Sequence, residues 1–234
     1  MTSDALLAFQ EFRNRIPKEK RDKIAFLLHT QPRDENGTDL PRLVRHLLPE
    51  CNIVFSQDKL ESKQLNWLYN IADVTINIAS NEGFGLGTAE SLIAGTPIIV
   101  NVTGGLQDQC GFRNEDGKFL TPDDYVELGS NHRGKYKNHG KWVKPVYPSN
   151  ISLQGSPPTP YIWDDRCQSE DVAPLLREFY DMGRKKRKKL GSLGTKFCKE
   201  NHMTAEAMGQ NFINSMNGAF ENWKPHKRYT MVEV

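Results

Sequence analysis

The run NEGFGLGTAESLIAGTPIIVNVTGG, residues 81–105, limits the fold of this chain more than any other stretch. Ahead of it Val74, Ile76 and Ile78 alternate with Thr75 and Asn77, which is the period of a strand. After the glycine-rich turn a helical stretch runs to Ala94, and Gly95 supplies its left-handed stop. The apolar run 98–102 then reads as a second buried strand. Strand, turn, helix and strand within about thirty residues make a parallel crossover unit.

The rest of the first half repeats this order. Ala5, Ala8, Phe9, Phe12 and Ile16 form a helical stripe behind Ser3, and Pro17 ends it. Residues 24–28 read as a strand, and Leu40, Leu43, Val44 and Leu47 as a helix that tolerates Pro41 in its first turn. A strand at 51–55 and a short helix beginning at Ser62, with Leu65, Leu68 and Tyr69, complete the series. The expectation is an α/β fold, a Rossmann-like open parallel sheet flanked by helices, with function gathered at the carboxyl ends of the strands. Residues 107–170 are rich in Gly, Pro, Asn and Asp and read as an irregular excursion with a strand near 142–146. Helices return at about 169–190 and 204–220, the last carrying Met208, Phe212, Met216 and Phe220 on one side. One domain over 1–220 and a tail over 221–234 follow from this pattern.

Composition removes several classes. With 37% hydrophobic and 26% charged residues the 234-residue chain has enough apolar content for a core, and a net charge of +2 gives no overall polyanion-binding character. No run of twenty apolar residues spans a membrane, and the opening MTSDALLAFQEF has no signal-peptide pattern. The expected location is the cytoplasm, or its membrane surface. Cys51, Cys110, Cys167 and Cys198 lack metal-ligand spacing and read as free thiols. Sequons at Asn36, Asn101 and Asn150 carry no weight in that compartment.

The turn itself suggests chemistry. Gly83, Gly85 and Gly87 permit close approach of backbone to a ligand, and the helix that follows presents free amides over the strand ends. That combination suits a phosphate or diphosphate. Glu82 before the turn and Glu90 inside the helix are acceptors for hydroxyls on either side of such a group. The spacing matches neither the dinucleotide fingerprint nor a lysine-bearing phosphate loop. The residues alone point to a nucleotide or sugar-phosphate site, in which amides and a basic group must offset repulsion between acids and phosphates.

The same stretch resembles the carboxyl-terminal, donor-binding half of retaining GT-B glycosyltransferases of the glycosyltransferase 4 family. The resemblance rests on Glu82 to Glu90 in EGFGLGTAE, on SLIAGTPIIV and NVTGGLQD after it, and on LNWLYNIADVTINIAS before it. It implies transfer of a sugar, with retention, from a UDP- or GDP-linked donor, with no cofactor and no essential metal. Glu82 would bind the transferred sugar near the reacting face and Glu90 the ribose. Gly83, Phe84, Gly85, Leu86 and Gly87 would meet donor sugar and diphosphate, with Thr88 beside the phosphate and residues 56–60 along the base. The resemblance further implies an acceptor-binding domain or chain as partner, and a leading strand with a basic pair that has no counterpart in these residues. Arg33 reads as solvent-facing rather than as a substitute. A non-catalytic nucleotide-sugar-binding or interaction module is the alternative.

Other signals are weaker. RKKRKK at 184–189 reads as an exposed helix end before Gly191, with weak contact to an anionic membrane as the next option and nucleic acid behind it. His29 reads as a packed residue at a strand end, and His46 and His202 as structural. Trp142, Tyr161 and Trp163 read as anchors of the excursion rather than as sugar-stacking faces.

Overall fold

A stripe of apolar residues at helical spacing builds helix α1, Thr2–Asn14, which buries Ala5, Leu6, Ala8, Phe9 and Phe12. In the computed structural model, residues 2–225 are described apart from 34, 36, 126–129, 157 and 158, so the sequon at Asn36 and most of the tail lie outside the described residues. Strand β1 (Phe26–His29) leads to helix α2 (Leu40–Leu47), whose start is fixed by the Asp39 carboxylate accepting from the Arg42 amide at 2.9 Å, with Pro41 in the first turn. Strand β2 (Ile53–Ser56) and helix α3 (Ser62–Ile71) follow; Glu61, one residue before the expected start, caps α3 reciprocally with Gln64. Then come strand β3 (Thr75–Asn77), helix α4 (Leu86–Ile93), strand β4 (Ile98–Asn101) and the one-turn helix α5 (Leu106–Gln109).

All pairings among these strands are parallel. β1 lies beside β2 in the register Phe26–Ile53, and β4 lies between β3 and β5 (Val143–Val146), in the registers Thr75–Ile98 and Ile98–Val143. β4 is buried on both faces, as a central parallel strand must be: Ile98 and Val100 pack with Leu92 of α4, while Ile99 packs with α1. The core therefore has two layers. Ala5, Phe9, Phe12, Ile78, Ile99, Val172 and Phe179 fill one, and Leu92, Val100, Leu106, Trp142, Phe197 and Cys198 fill the other. This is an α/β fold of parallel strands flanked by helices, with one difference from a single open sheet. Among the described residues, no strand joins the β1–β2 pair to the β3–β4–β5 group.

The excursion is more ordered than its composition indicates. It contains β5, which begins one residue later than expected because Trp142 precedes it, and an antiparallel hairpin of β6 (Asn150–Ser156) and β7 (Thr159–Arg166). Trp142 stacks on Phe197 at 4.5 Å and anchors the second core layer as expected. Tyr161 and Trp163 do not: they stand on the hairpin exposed, so they anchor no core.

Helix α6, Ser169–Glu200, runs ten residues beyond its expected end. Its break lies instead at Gly183, where φ is +72°. Gly191 does not stop the helix; a Cβ there would strike the Gly95 carbonyl, so this glycine lets α6 press against the end of α4. Arg187 within the basic run is not solvent-facing. It bonds Asp73 at 2.6 Å and donates to the Phe179 carbonyl at 2.8 Å, while Arg184, Lys185, Lys186, Lys188 and Lys189 are exposed. Helix α7, Ala205–Asn222, is started by Thr204 and leaves Met208, Phe212, Ile213, Met216 and Phe220 exposed. No described helix is long and apolar enough to cross a membrane.

Candidate functional site

The turn lies where the chain reverses direction across the sheet. α1 and α2 cover one face of β1 and β2, whereas α4 lies on the opposite face of β4. With right-handed crossovers, that change of face puts β3 on the β1 side of β2. The carboxyl ends of β1 and β3 thus flank the switch point of the fold, where open parallel sheets leave a crevice.

The three glycines of the turn have different work. Gly85 caps α4 in the left-handed conformation, φ +83°, and a Cβ there would run into Leu106. Its carbonyl accepts from the amides of Thr88 and Ala89 at 3.2 and 3.0 Å. The amides of Leu86 and Gly87 at the helix start have no acceptor within the helix. Gly83 has open space where its Cβ would be, and Gly87 has only ordinary contact with the Tyr69 hydroxyl. Two glycines therefore keep the surface of the turn free, and the middle one bends it.

The turn is held from beneath by residues that spacing alone did not single out. Gln109 of α5, fully buried, donates to the carbonyls of Phe84 at 2.5 Å and Gly85 at 2.9 Å. The Gly105 amide donates to the Glu82 carbonyl at 2.9 Å. Side chains at Gly104 or Gly105 would collide with the backbone of residues 82–84, which explains the glycine pair in NVTGG. Only the pair itself was a signal in the sequence; nothing there marked Gln109 as the clamp.

Of the two acids, Glu90 is exposed on α4 and accepts from the Tyr69 hydroxyl at 2.8 Å. Burial and that carboxylate push the Tyr69 phenol well above its ordinary value, so it stays protonated and donating. Tyr69 was read as a helix-stripe residue; it is the group that orients Glu90. Glu82 is half-buried at the start of the turn, and Phe84 and Leu86 are exposed. Thr88 is buried, with its hydroxyl donating to the Gly85 carbonyl at 3.0 Å, so it serves the turn.

Around the turn, His29 Nδ1 lies 3.0 Å from Ser56 Oγ at the ends of β1 and β2. Arg33 is exposed and pairs with Asp39 at 3.6 Å. The β6–β7 hairpin docks beside the turn: the Asp165 amide donates to the Ser80 carbonyl at 2.9 Å, and Asn101 Nδ2 bridges the carbonyls of Ala79 and Asp165. Asn101 is thus buried structural material and its sequon is closed. Among the described residues no cluster of three or more His, Cys, Asp or Glu could hold a metal ion.

No family model matches the chain. A stretch of 100 residues is 36% identical to the GDP-Man:Man(3)GlcNAc(2)-PP-Dol alpha-1,2-mannosyltransferase of Dictyostelium discoideum, covering 41% of this chain and 20% of that protein. The fold is similar to that of sucrose-phosphate synthase from Thermosynechococcus elongatus, with a TM-score of 0.54 and 16% identity over 93% of this chain and 44% of that one. The architecture is accordingly one half of a GT-B fold. The chain spans less than half the length of either protein.

Proposed function

We infer that the chain is the donor-binding half of a retaining glycosyltransferase, of the kind grouped as glycosyltransferase 4, and that it works with an acceptor-binding half. The observation that carries this reading is the turn at Gly85: two unbonded amides at a helix start, surface left open by Gly83 and Gly87, and a carboxylate held ready by Tyr69. In this reading the amides of Leu86 and Gly87 take the diphosphate, and the α4 dipole adds to their attraction. Glu90 accepts from the ribose hydroxyls. Glu82 positions the transferred sugar and lends electrostatic support as the nucleotide leaves. The mannosyltransferase with the similar stretch is described as using GDP-mannose, which puts GDP ahead of UDP as the leaving nucleotide.

Calorimetric titration with GDP and UDP tests the assignment. GDP should bind, weakly and more tightly than UDP. Glu90→Ala should weaken GDP about tenfold or more, the usual loss for a charge-assisted hydrogen bond, yet leave 2′,3′-dideoxy-GDP unchanged. Equal affinities of wild type and variant for GDP would remove Glu90 from the ribose.

A further inference from the structure

We propose that the cavity between the bend of α6 and the amino ends of β3 and β4 is a second anion site, built for a phosphate group and separate from the turn at Gly85. The cavity has a volume of about 520 Å³. Asp73, ahead of β3, and Gly95 and Pro97, ahead of β4, form one wall, and Arg184, Arg187 and Lys188 of α6 form the other. The turn at Gly85 follows the carboxyl end of β3, so the two sites lie at opposite ends of the parallel strands.

Six consecutive cations on a helix point in all directions, but positions 184, 187 and 188 share one face. That face of the run lines the cavity, whereas Lys185, Lys186 and Lys189 do not. The three lining cations differ in what they bind. Arg187 meets Asp73 through Nε at 3.1 Å and Nη2 at 2.6 Å, and its Nη1 donates to the Phe179 carbonyl. This pair is neutral. Arg184 and Lys188 are exposed, and among the described residues neither has an acidic partner. The acids of α6 just ahead of the bend are already taken, Asp181 by Arg177 at 2.7 Å and Glu178 by Lys144.

The bend adds to this excess of positive charge. Gly183, at φ +72°, breaks α6, so Arg184 opens a second helical segment. Cations ordinarily gather at the carboxyl end of a helix, where the dipole is negative. Here RKKRKK occupies the first turns of the segment, at its positive end. Two uncompensated side chains one turn apart, beside a cavity, are the complement of a small oxyanion. A phosphate suits them better than a carboxylate, because it brings about two negative charges and three acceptor oxygens. Ile71 at the rim is exposed, as is Trp67 one turn earlier on α3. The phosphate is therefore either free in solution or the headgroup of a membrane lipid whose surface these two side chains would meet.

Amide NMR of the 234-residue chain titrated with inorganic pyrophosphate tests the site. Saturable shifts should appear at Asp73, Gly95, Arg184 and Lys188. Arg184→Gln combined with Lys188→Gln should weaken this binding at least about tenfold, the loss expected for charge-assisted hydrogen bonds. Lys185→Gln combined with Lys189→Gln removes the same charge away from the cavity and should weaken it no more than about threefold, since exposed charges are screened. Absence of shifts, or equal losses in the two double variants, would overturn the proposal. Shifts confined to Leu86 and Gly87 would overturn it too, while leaving the donor reading intact. Sedimentation with phosphatidylcholine vesicles containing phosphatidic acid separates the two sources. Vesicle binding that the first double variant loses and the second keeps assigns the phosphate to a lipid headgroup. Pyrophosphate binding without vesicle binding of that kind assigns it to a soluble ligand.

Discussion

Gly85 is the residue on which the geometry of the turn depends, since both its positive φ and the Leu106 side chain beneath it exclude a Cβ. Gly85→Ala should destabilise the fold by about 1–3 kcal/mol, the range for strain of this kind, and should lower GDP affinity with it. Gly83→Ala meets no atom within 4 Å and should leave the denaturant midpoint nearly unchanged. Comparing the two midpoints checks the distinction. Tyr69→Phe should weaken GDP binding less than Glu90→Ala, because it frees the carboxylate without removing it; a titration of both variants decides. In sequence the three alternate glycines looked equivalent. Their difference comes from what lies below them, and Leu106 and Gln109 reach that place only through the fold of the following turn. The placement of Glu82 and Glu90 on either side of the turn follows from the sequence, but the Tyr69 hydroxyl that holds Glu90 comes from a helix on which only its apolar stripe is readable.

At the scale of elements, helix α6 shows how a charge run acquires a specific role. Arg187 holds the carbonyls of Phe179 and Tyr180 just before the bend at Gly183 and ties them to Asp73. Arg187→Ala should cost about 1.5–3 kcal/mol, the range for hydrogen bonds from a charged group, whereas Lys185→Ala should cost almost nothing. Urea unfolding of the two variants measures the contrast. In sequence the six basic residues are equivalent, because period and charge do not reveal which one meets a bend. Gly191 after a charged run has the pattern of a helix stop, whereas helix-to-helix proximity demands it. The parallel crossover elements were readable because each carries its own period and cap, as in Asp39 with Pro41. The β6–β7 hairpin was not, since its residues alternate over a face that is largely exposed and so carry no burial pattern.

For the whole molecule, burial sets how the titrating groups respond to their surroundings. Burial holds the His139 imidazole below its ordinary 6.5. The unfolded chain therefore takes up a proton that the folded chain resists, so this contribution is complete above pH 6.5 and is lost as pH falls below it. The urea midpoint should drop between pH 7 and 5.5, and His139→Gln should flatten that drop. Burial also raises the thiols of Cys167 to about 12 and Cys198 to about 11, and raises Cys110 further, while Cys51 is only half-buried. An alkylating reagent at pH 8 should label Cys51 first and reach the other three only on unfolding. The global arrangement, helices on both faces of parallel strands, was legible because it follows from element order. The break in the sheet was not, because it is a property of pairing between strands far apart in the chain.

The central claim is that the backbone at the start of α4 receives a nucleoside diphosphate. Amide NMR of the labelled chain titrated with GDP tests it most directly. The account predicts saturable shifts centred on the amides of Gly83, Leu86 and Gly87, with Glu90 and Tyr69 responding alongside. Absence of shifts at millimolar GDP, or shifts confined to the basic stretch around Arg184 and Lys188, would contradict it.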